Sequence, residues 1–249
     1  MTALITGATS GIGEATAKKL ASIGYDIIIT GRRNDRLEKL TGELKSEFNV
    51  DVLSLNFDVR SNDDVTKHLS SLSGKWKEID VLVNNAGLAA GLSTFQDGDL
   101  SDWERMIDTN IKGLIYVSKI VSNLMIARGK GHIVNVGSIA GKEVYPNGNV
   151  YCATKHSVDA LTKGMRIDMV KYGIKVSSID PGMVETEFSV VRLGDKEKAD
   201  AVYEGLTPLY AEDIADAIEF MVTRSAHVNI NDMIIMPTAQ ASATVVVRE

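Results

Sequence analysis

Short runs rich in Val, Ile and Leu recur along this chain. Each is followed by a longer stretch with apolar residues at three- and four-residue spacing, and this alternation restricts the fold more than any other feature. The runs Ala3–Thr6, Asp26–Thr30, Val52–Phe57, Val81–Asn84, His132–Gly137, Lys175–Ile179 and Met233–Met236 predict seven strands. The stretches Ile12–Ile23, Arg36–Phe48, Asp63–Leu72, Trp103–Ile126, Tyr151–Tyr172 and Glu212–Val222 predict helices between them. Ser101 and Glu104 have the spacing of a capping box ahead of the long fourth helix. Strands joined by helical crossovers build a parallel sheet with helices on both faces. No repeat, linker or low-complexity segment interrupts the 249 residues, so the expectation is one doubly wound α/β domain over 1–249. Ligands of such sheets bind beyond the carboxyl ends of the strands. Gly7, Arg32, Asp58, Asn85, Ser138 and Pro181 each follow a predicted strand there.

The first strand runs into Thr6-Gly7-Ala8-Thr9-Ser10-Gly11-Ile12-Gly13, a glycine-rich turn that opens a helix. Glycines let the backbone approach a ligand closely, and the amides and dipole of a first helical turn favour a pyrophosphate. The spacing is G-x-x-x-G-x-G rather than the common G-x-G-x-x-G, so by itself the motif could be a plain connection.

A second constellation lies in the chain's other half. Tyr151 and Lys155 are four apart on a predicted helix and therefore share a face, with Ser138 thirteen positions upstream at the end of an apolar run. A phenol titrates near ~10 in water and is a poor base at neutral pH. An ammonium ~4 Å away, at an effective dielectric of about 20, stabilises the phenolate by at most about 4 kcal/mol, or roughly three pKa units. The expectation is a phenolate accessible near neutrality, with the Ser138 hydroxyl holding a substrate oxygen against it.

With the glycine turn, Asn84-Asn85-Ala86-Gly87, Asn110, Ser138, Tyr151, Lys155 and Pro181-Gly182 in this order, the chain resembles the short-chain dehydrogenase/reductase family through nearly its whole length. The resemblance implies a Rossmann-type sheet binding a nicotinamide dinucleotide, with hydride transfer at a substrate carbon and proton exchange by Tyr151. It implies that Gly7, Thr9, Ser10, Gly11, Ile12 and Gly13 form the cofactor loop, that Asp58 and Val59 meet adenine, and that Asn85, Ala86 and Gly87 line the cofactor. Pro181, Gly182, Val184 and Thr186 are placed against the cofactor in the same way, and Lys155 holds the nicotinamide ribose. Asn110 has two readings: anchor of a water chain leading from Lys155, or a helix-bend residue bonding backbone.

The residue after the second strand faces the adenosine ribose, where a carboxylate would favour NAD and repel a 2′-phosphate. Here Arg32 and Arg33 stand in that place with no acid before Asp35, which predicts NADP; the alternative is two solvated loop cations. Thr186–Arg192, Ala226–Asn231 and Met236-Pro237 resemble the NADP-dependent 3-hydroxy acid dehydrogenase branch, acting on serine, allo-threonine and 3-hydroxyisobutyrate or their carbonyl counterparts. Such substrates need a cation for their carboxylate. Arg192, in a segment at about 183–210 expected to cover the site, is one candidate, unless it pairs with Asp195 or Glu197; Lys142 is another.

The net charge of −6 without a basic stripe argues against nucleic acid and anionic membrane as partners. No apolar run reaches the ~18 residues of a membrane span, Met1-Thr2 leads straight into the first strand, and the lone Cys152 forms no internal disulfide. A soluble cytoplasmic enzyme is expected, and the resemblance implies a homo-oligomer, commonly a tetramer. His68, His132, His156 and His227 lack metal-ligand spacing, so no metal is expected. The pairs Asp63-Asp64 and Glu185/Glu187 read as a solvated helix start and loop. Two alternatives remain: a 3-ketoacyl or broad carbonyl reductase of the same family, and a non-catalytic NADP-sensing protein, which would have no need of Ser138, Tyr151 and Lys155 together.

Overall fold

The computed structural model describes residues 1–249. In chain order the elements are β1 (Thr2–Ile5), α1 (Gly11–Ser22), β2 (Asp26–Gly31), α2 (Asn34–Phe48), β3 (Val52–Asn56), α3 (Asn62–Ser70), β4 (Ile79–Asn84), α4 (Leu100–Ile107), α5 (Leu114–Arg128), β5 (Gly131–Val136), α6 (Asn149–Met169), β6 (Ile174–Pro181), α7 (Glu187–Leu193), α8 (Lys196–Ala201), α9 (Ala211–Val222) and β7 (Asp232–Ile235). All seven strands pair parallel in the order β3-β2-β1-β4-β5-β6-β7. The chain leaves β1 on one side toward β2 and later returns on its other side as β4, and this reversal opens a crevice above the carboxyl ends of the strands.

The period of two along each strand divides the core. Ala3 and Ile5, Ile27 and Ile29, and Val81 and Val83 point to one face, where α1, α2 and α9 bring Leu20, Leu37, Leu44, Ile214 and Ile218. Leu4, Ile28, Leu82 and Ile133 point to the other and meet Val65, Leu69, Val117, Val121 and Met125 of α3 and α5. Burying each such aliphatic side chain stabilises the fold by ~1.5–3 kcal/mol. With both faces covered, the strands read as near-continuous apolar runs rather than alternating ones.

The predicted helix Trp103–Ile126 is interrupted. α4 and α5 are separated by one wide turn of π-helix over Asp108–Gly113, and α4 begins three residues earlier than expected. Its start is set by Asp99, whose carboxylate accepts from the amide of Ser101 at 2.8 Å, so the capping box at Ser101 and Glu104 does not form. Asp63 and Asp64 do lie in the first turn of a helix, behind the Ser61 cap. The covering segment contains two short helices that periodicity did not reveal. Thr186 caps α7 by accepting from Phe188, and Asp195 caps α8 by accepting from Glu197 and Lys198.

Candidate active site

A cleft of about 340 Å³ lies above the strand ends. Every residue assigned above to catalysis or cofactor lines it except Gly13, Asn110 and Arg192. Gly13 sits behind the loop, where a Cβ would lie 2.4 Å from both the Gly7 carbonyl oxygen and Asn85 Nδ2, so only glycine lets the first turn of α1 close on β1. The Asn85 amide locks that turn by donating to the carbonyls of Thr6 (2.9 Å) and Gly7 (3.1 Å). Ser10, the residue before α1, does not cap the helix with its hydroxyl, and the first amides of α1 remain without a side-chain acceptor.

At the ribose end, Arg33 donates to Thr9 Oγ1 (2.9 Å) and Ser10 Oγ (2.8 Å) through Nη2. Its Nη1 holds Glu187 of α7 at 2.9 Å, and Arg36 holds the same carboxylate at 2.7 Å. Glu187 is thus an ion-pair partner rather than the solvated loop acid expected, because α7 carries it back over the cofactor loop. Arg32 is more exposed and stands 3.8 Å from Asp58, which Arg60 also grips. The Glu187 carboxylate already bridges Arg33 and Arg36 where a 2′-phosphate is expected, beside uncapped helix amides. This donor set fits NADP.

At the other end, Tyr151 and Lys155 face the cleft from α6, both buried, and Ser138 follows β5. Ser138 Oγ accepts from the amide of Ala140 (3.1 Å), donates over a long 3.5 Å to the Pro181 carbonyl and lies toward the Tyr151 phenol, so its proton is held loosely and is available to a substrate oxygen. Lys155 Nζ donates to the Val136 carbonyl at 2.9 Å and lies 5.9 Å from the centre of the Tyr151 ring. The electrostatics depart from expectation. Burial pushes the Tyr151 phenol above its ordinary value, with Ser138 and the Arg192 guanidinium opposing that, while burial brings Lys155 down to about 8. Desolvation is the largest effect on both groups and raises the phenol instead of lowering it, contrary to the phenolate expected near neutrality.

Asn110 sits in the π-turn, which swings its side chain inward. Its Oδ1 accepts from the Leu88 amide (2.9 Å), and its Nδ2 donates to the Leu88 carbonyl (2.8 Å) and to Thr154 Oγ1 (3.0 Å). This is the geometry of a bend residue bonding backbone. Arg192 pairs with neither Asp195 nor Glu197. It donates through Nε to the Gly91 carbonyl (3.2 Å) and through Nη1 to Tyr145 Oη (2.9 Å), and its guanidinium carbon lies 5.5 Å from the Tyr151 ring centre. Lys142 is not free for a substrate, because Asp159, Asp180 and Asp232 surround it. Tyr145 was not identified from sequence; only the fold brings it to Arg192, which lies 47 positions away.

A family model described as short chain dehydrogenase matches residues 1–196. The chain is 46% identical over 245 residues to NADP-dependent 3-hydroxy acid dehydrogenase YdfG of Salmonella typhi, covering 98% of this chain and 97% of that protein. It is also 46% identical to sulfoacetaldehyde reductase 2 of Chromohalobacter salexigens, covering 96% and 94%. Among solved structures it resembles the closed form of serine dehydrogenase complexed with NADP+, with a TM-score of 0.93, 42% identity and full coverage of both chains.

Proposed function

This chain belongs to the short chain dehydrogenase family and is an NADP-dependent oxidoreductase, and from that premise we propose that it interconverts small 3-hydroxy acids of the serine, allo-threonine and 3-hydroxyisobutyrate type with their carbonyl counterparts. The observation that carries the reading is the Arg192 guanidinium 5.5 Å from the centre of the Tyr151 ring, in a small recess that Tyr151 shares with the main cleft. The cofactor-loop glycines, Arg33 and the Asn85–Gly87 segment would hold NADP, which when bound exchanges a hydride with the substrate carbon.

Ser138 Oγ holds the substrate oxygen, and Tyr151 Oη exchanges the proton on it. In the reducing direction the neutral phenol donates, and burial keeps it protonated until then. In the oxidising direction the same oxygen must release its proton, and the charges of Lys155 and Arg192 favour that phenolate. Arg192 holds the substrate carboxylate, oriented by Tyr145 and the Gly91 carbonyl. Asn110 positions the Leu88 turn and, through Thr154, the first turns of α6. The segment at about 183–210 covers the site. In support, the Gly91 amide donates to the Arg192 carbonyl at 3.1 Å, so the segment and the loop after β4 clasp each other. Such a clasp suits a short acid better than a long acyl thioester.

The chain is further read as a cytoplasmic homotetramer. No helix is long and apolar enough to cross a membrane, and Ile115 of α5, Ile167 of α6 and the neighbouring Val170 expose apolar surface that a second copy would cover; light scattering reads the assembly.

The function is tested by following NADPH absorbance with charged and neutral substrates in wild type and Arg192→Lys. A point ammonium cannot reproduce the planar guanidinium fork. The expected result is a fall of about tenfold or more in kcat/KM for serine or 3-hydroxyisobutyrate, close to 1.4 kcal/mol of transition-state binding, with a neutral alcohol of similar size little affected. Equal losses on both would assign Arg192 a structural role.

A further inference from the structure

Beneath the catalytic loop lies a buried charge that the mechanism above does not use. Asp180, next to last in β6, is 1% exposed. Its Oδ1 accepts from the Ser138 backbone amide (3.2 Å) and from Ser178 Oγ (2.9 Å). A Cβ on Gly137 would stand 1.9 Å from that same oxygen, so the carboxylate reaches the main chain of Ser138 only because glycine precedes it. Oδ2 makes no hydrogen bond and has one neutralising neighbour, Lys142 Nζ at 3.3 Å. Lys142 also meets Asp159 of α6 and, at 3.9 Å, Asp232 of β7. Lys163 (2.6 Å from Asp159) and Arg166 (3.4 Å from Asp232) close the cluster on its outer side, giving three carboxylates and three cations.

We propose that Asp180, held ionised by Lys142, is a positioning residue for proton transfer: it fixes the main chain of Ser138 and is the buried negative charge that acts on Lys155. The inference rests on the reading of Ser138, Tyr151 and Lys155 as the proton-transfer site. Two geometric observations support it: the hydrogen bond from the Ser138 amide is direct, and the carboxylate is buried against Lys142 at 3.3 Å. In agreement with them, Asp180 is the charged group that opposes the fall of the Lys155 pKa that burial causes. The groups facing Lys155 are the Tyr151 phenol, the Val136 carbonyl and, in charge, Asp180. Those facing Asp180 are Lys142, Ser178 and, less favourably, Asp232; its link to Lys155 is through charge alone. Without Lys142, a carboxylate this buried would take up a proton rather than stay charged, so removing either partner has the same consequence at Lys155.

The variants are Asp180→Asn, which keeps an oxygen acceptor for Ser138 and removes the charge, Lys142→Met, and the two combined. The first readout needs no substrate: titration of the Lys155 ammonium by lysine-selective NMR, assigned with Lys155→Met. Wild type should titrate at about 8, and all three variants lower. The second is the pH profile of turnover. Its inflection should move to lower pH by about half a unit or more, whichever direction is assayed, because losing a negative charge eases proton loss from both Lys155 and Tyr151. The double variant should lie within about twofold of Asp180→Asn, because Lys142 acts through Asp180.

A Lys155 titration unchanged in Asp180→Asn overturns the proposal, as does a double variant whose losses multiply. Should Asp180→Asn fold poorly, the Lys155 titration in Lys142→Met and in the neutral double variant decides the matter, with thermal melts reporting the fold. A protein whose lysine titrates as expected but which turns over no 3-hydroxy acid would retire the substrate reading and leave this one standing.

Discussion

Tyr151 is held between opposed effects: burial favours its neutral form, and Arg192 with Ser138 favours the phenolate. The sequence showed the pair and its cation but not the degree of burial, which raises the phenol where the sequence led us to expect it lowered. Desolvation depends on Phe188 of α7 and Tyr145 closing over the ring, and neither contact can be read from a four-residue spacing. Tyr151→Phe keeps the ring and removes the exchangeable proton. Turnover should fall by about two to four orders of magnitude while NADP affinity, read by fluorescence titration, stays near wild type. A Phe variant retaining most of its turnover would remove Tyr151 from the mechanism. Ser138, Tyr151, Lys155 and the glycine loop were legible because each lies in a short local motif. Tyr145, Asp180 and Glu187 were not, because their meaning comes from partners distant in the chain; Arg33 and Glu187 are 154 positions apart.

At the scale of elements, α7 links the two ends of the cleft. Its first residue, Glu187, is held by Arg33 and Arg36, and near its other end Arg192 is held by Gly91 and Tyr145. The sequence marked a covering segment here but not its helices, since seven and six residues are too few for a periodic signal and their caps are single side chains. The interrupted α4–α5 helix was equally invisible: a π-turn adds a residue without disturbing the apolar pattern on either side. The contact at Arg33 makes a prediction whose two arms have opposite sign. Glu187 and a 2′-phosphate would compete for one guanidinium, so Glu187→Gln should tighten NADP binding several-fold. Arg33→Ala should weaken it, by at most about 3 kcal/mol for the charged hydrogen bonds lost. Neither should change NAD affinity. Titration of both cofactors against both variants checks this, and weaker NADP binding in Glu187→Gln would mean that the Glu187–Arg33 contact supports the cofactor rather than competing with it.

For the molecule as a whole, the sheet was legible because seven apolar runs bounded by turns allow few arrangements other than a doubly wound one, and all seven strands stand where expected to within a few residues. One residue read only as lacking metal-ligand spacing is placed where its titration bears on the stability of the whole. His132 enters β5 with a side chain 3% exposed; its Nε2 meets Ser177 Oγ at 2.7 Å and its Nδ1 has no partner. Burial, with a smaller contribution from Lys175, brings its pKa down from 6.5 to about 3. The folded state therefore disfavours the cation, and the unfolded chain binds the proton first. The stabilisation from the neutral ring is fully present above the unfolded value near 6.5 and is lost as pH falls toward 3. The loss approaches about 1.4 kcal/mol per pH unit over that window. Urea unfolding at pH 7 and pH 4.5, at one protein concentration so that any assembly is held constant, should show wild type losing roughly 2–3 kcal/mol more than His132→Asn over the same interval. The Asn variant keeps a polar group toward Ser177 but cannot titrate, and acid titration of the surface carboxylates is common to both proteins and cancels in the comparison. Parallel losses in the two proteins would show that the ring is protonated without unfolding the sheet, and that the acid limit of this fold lies with its carboxylates instead.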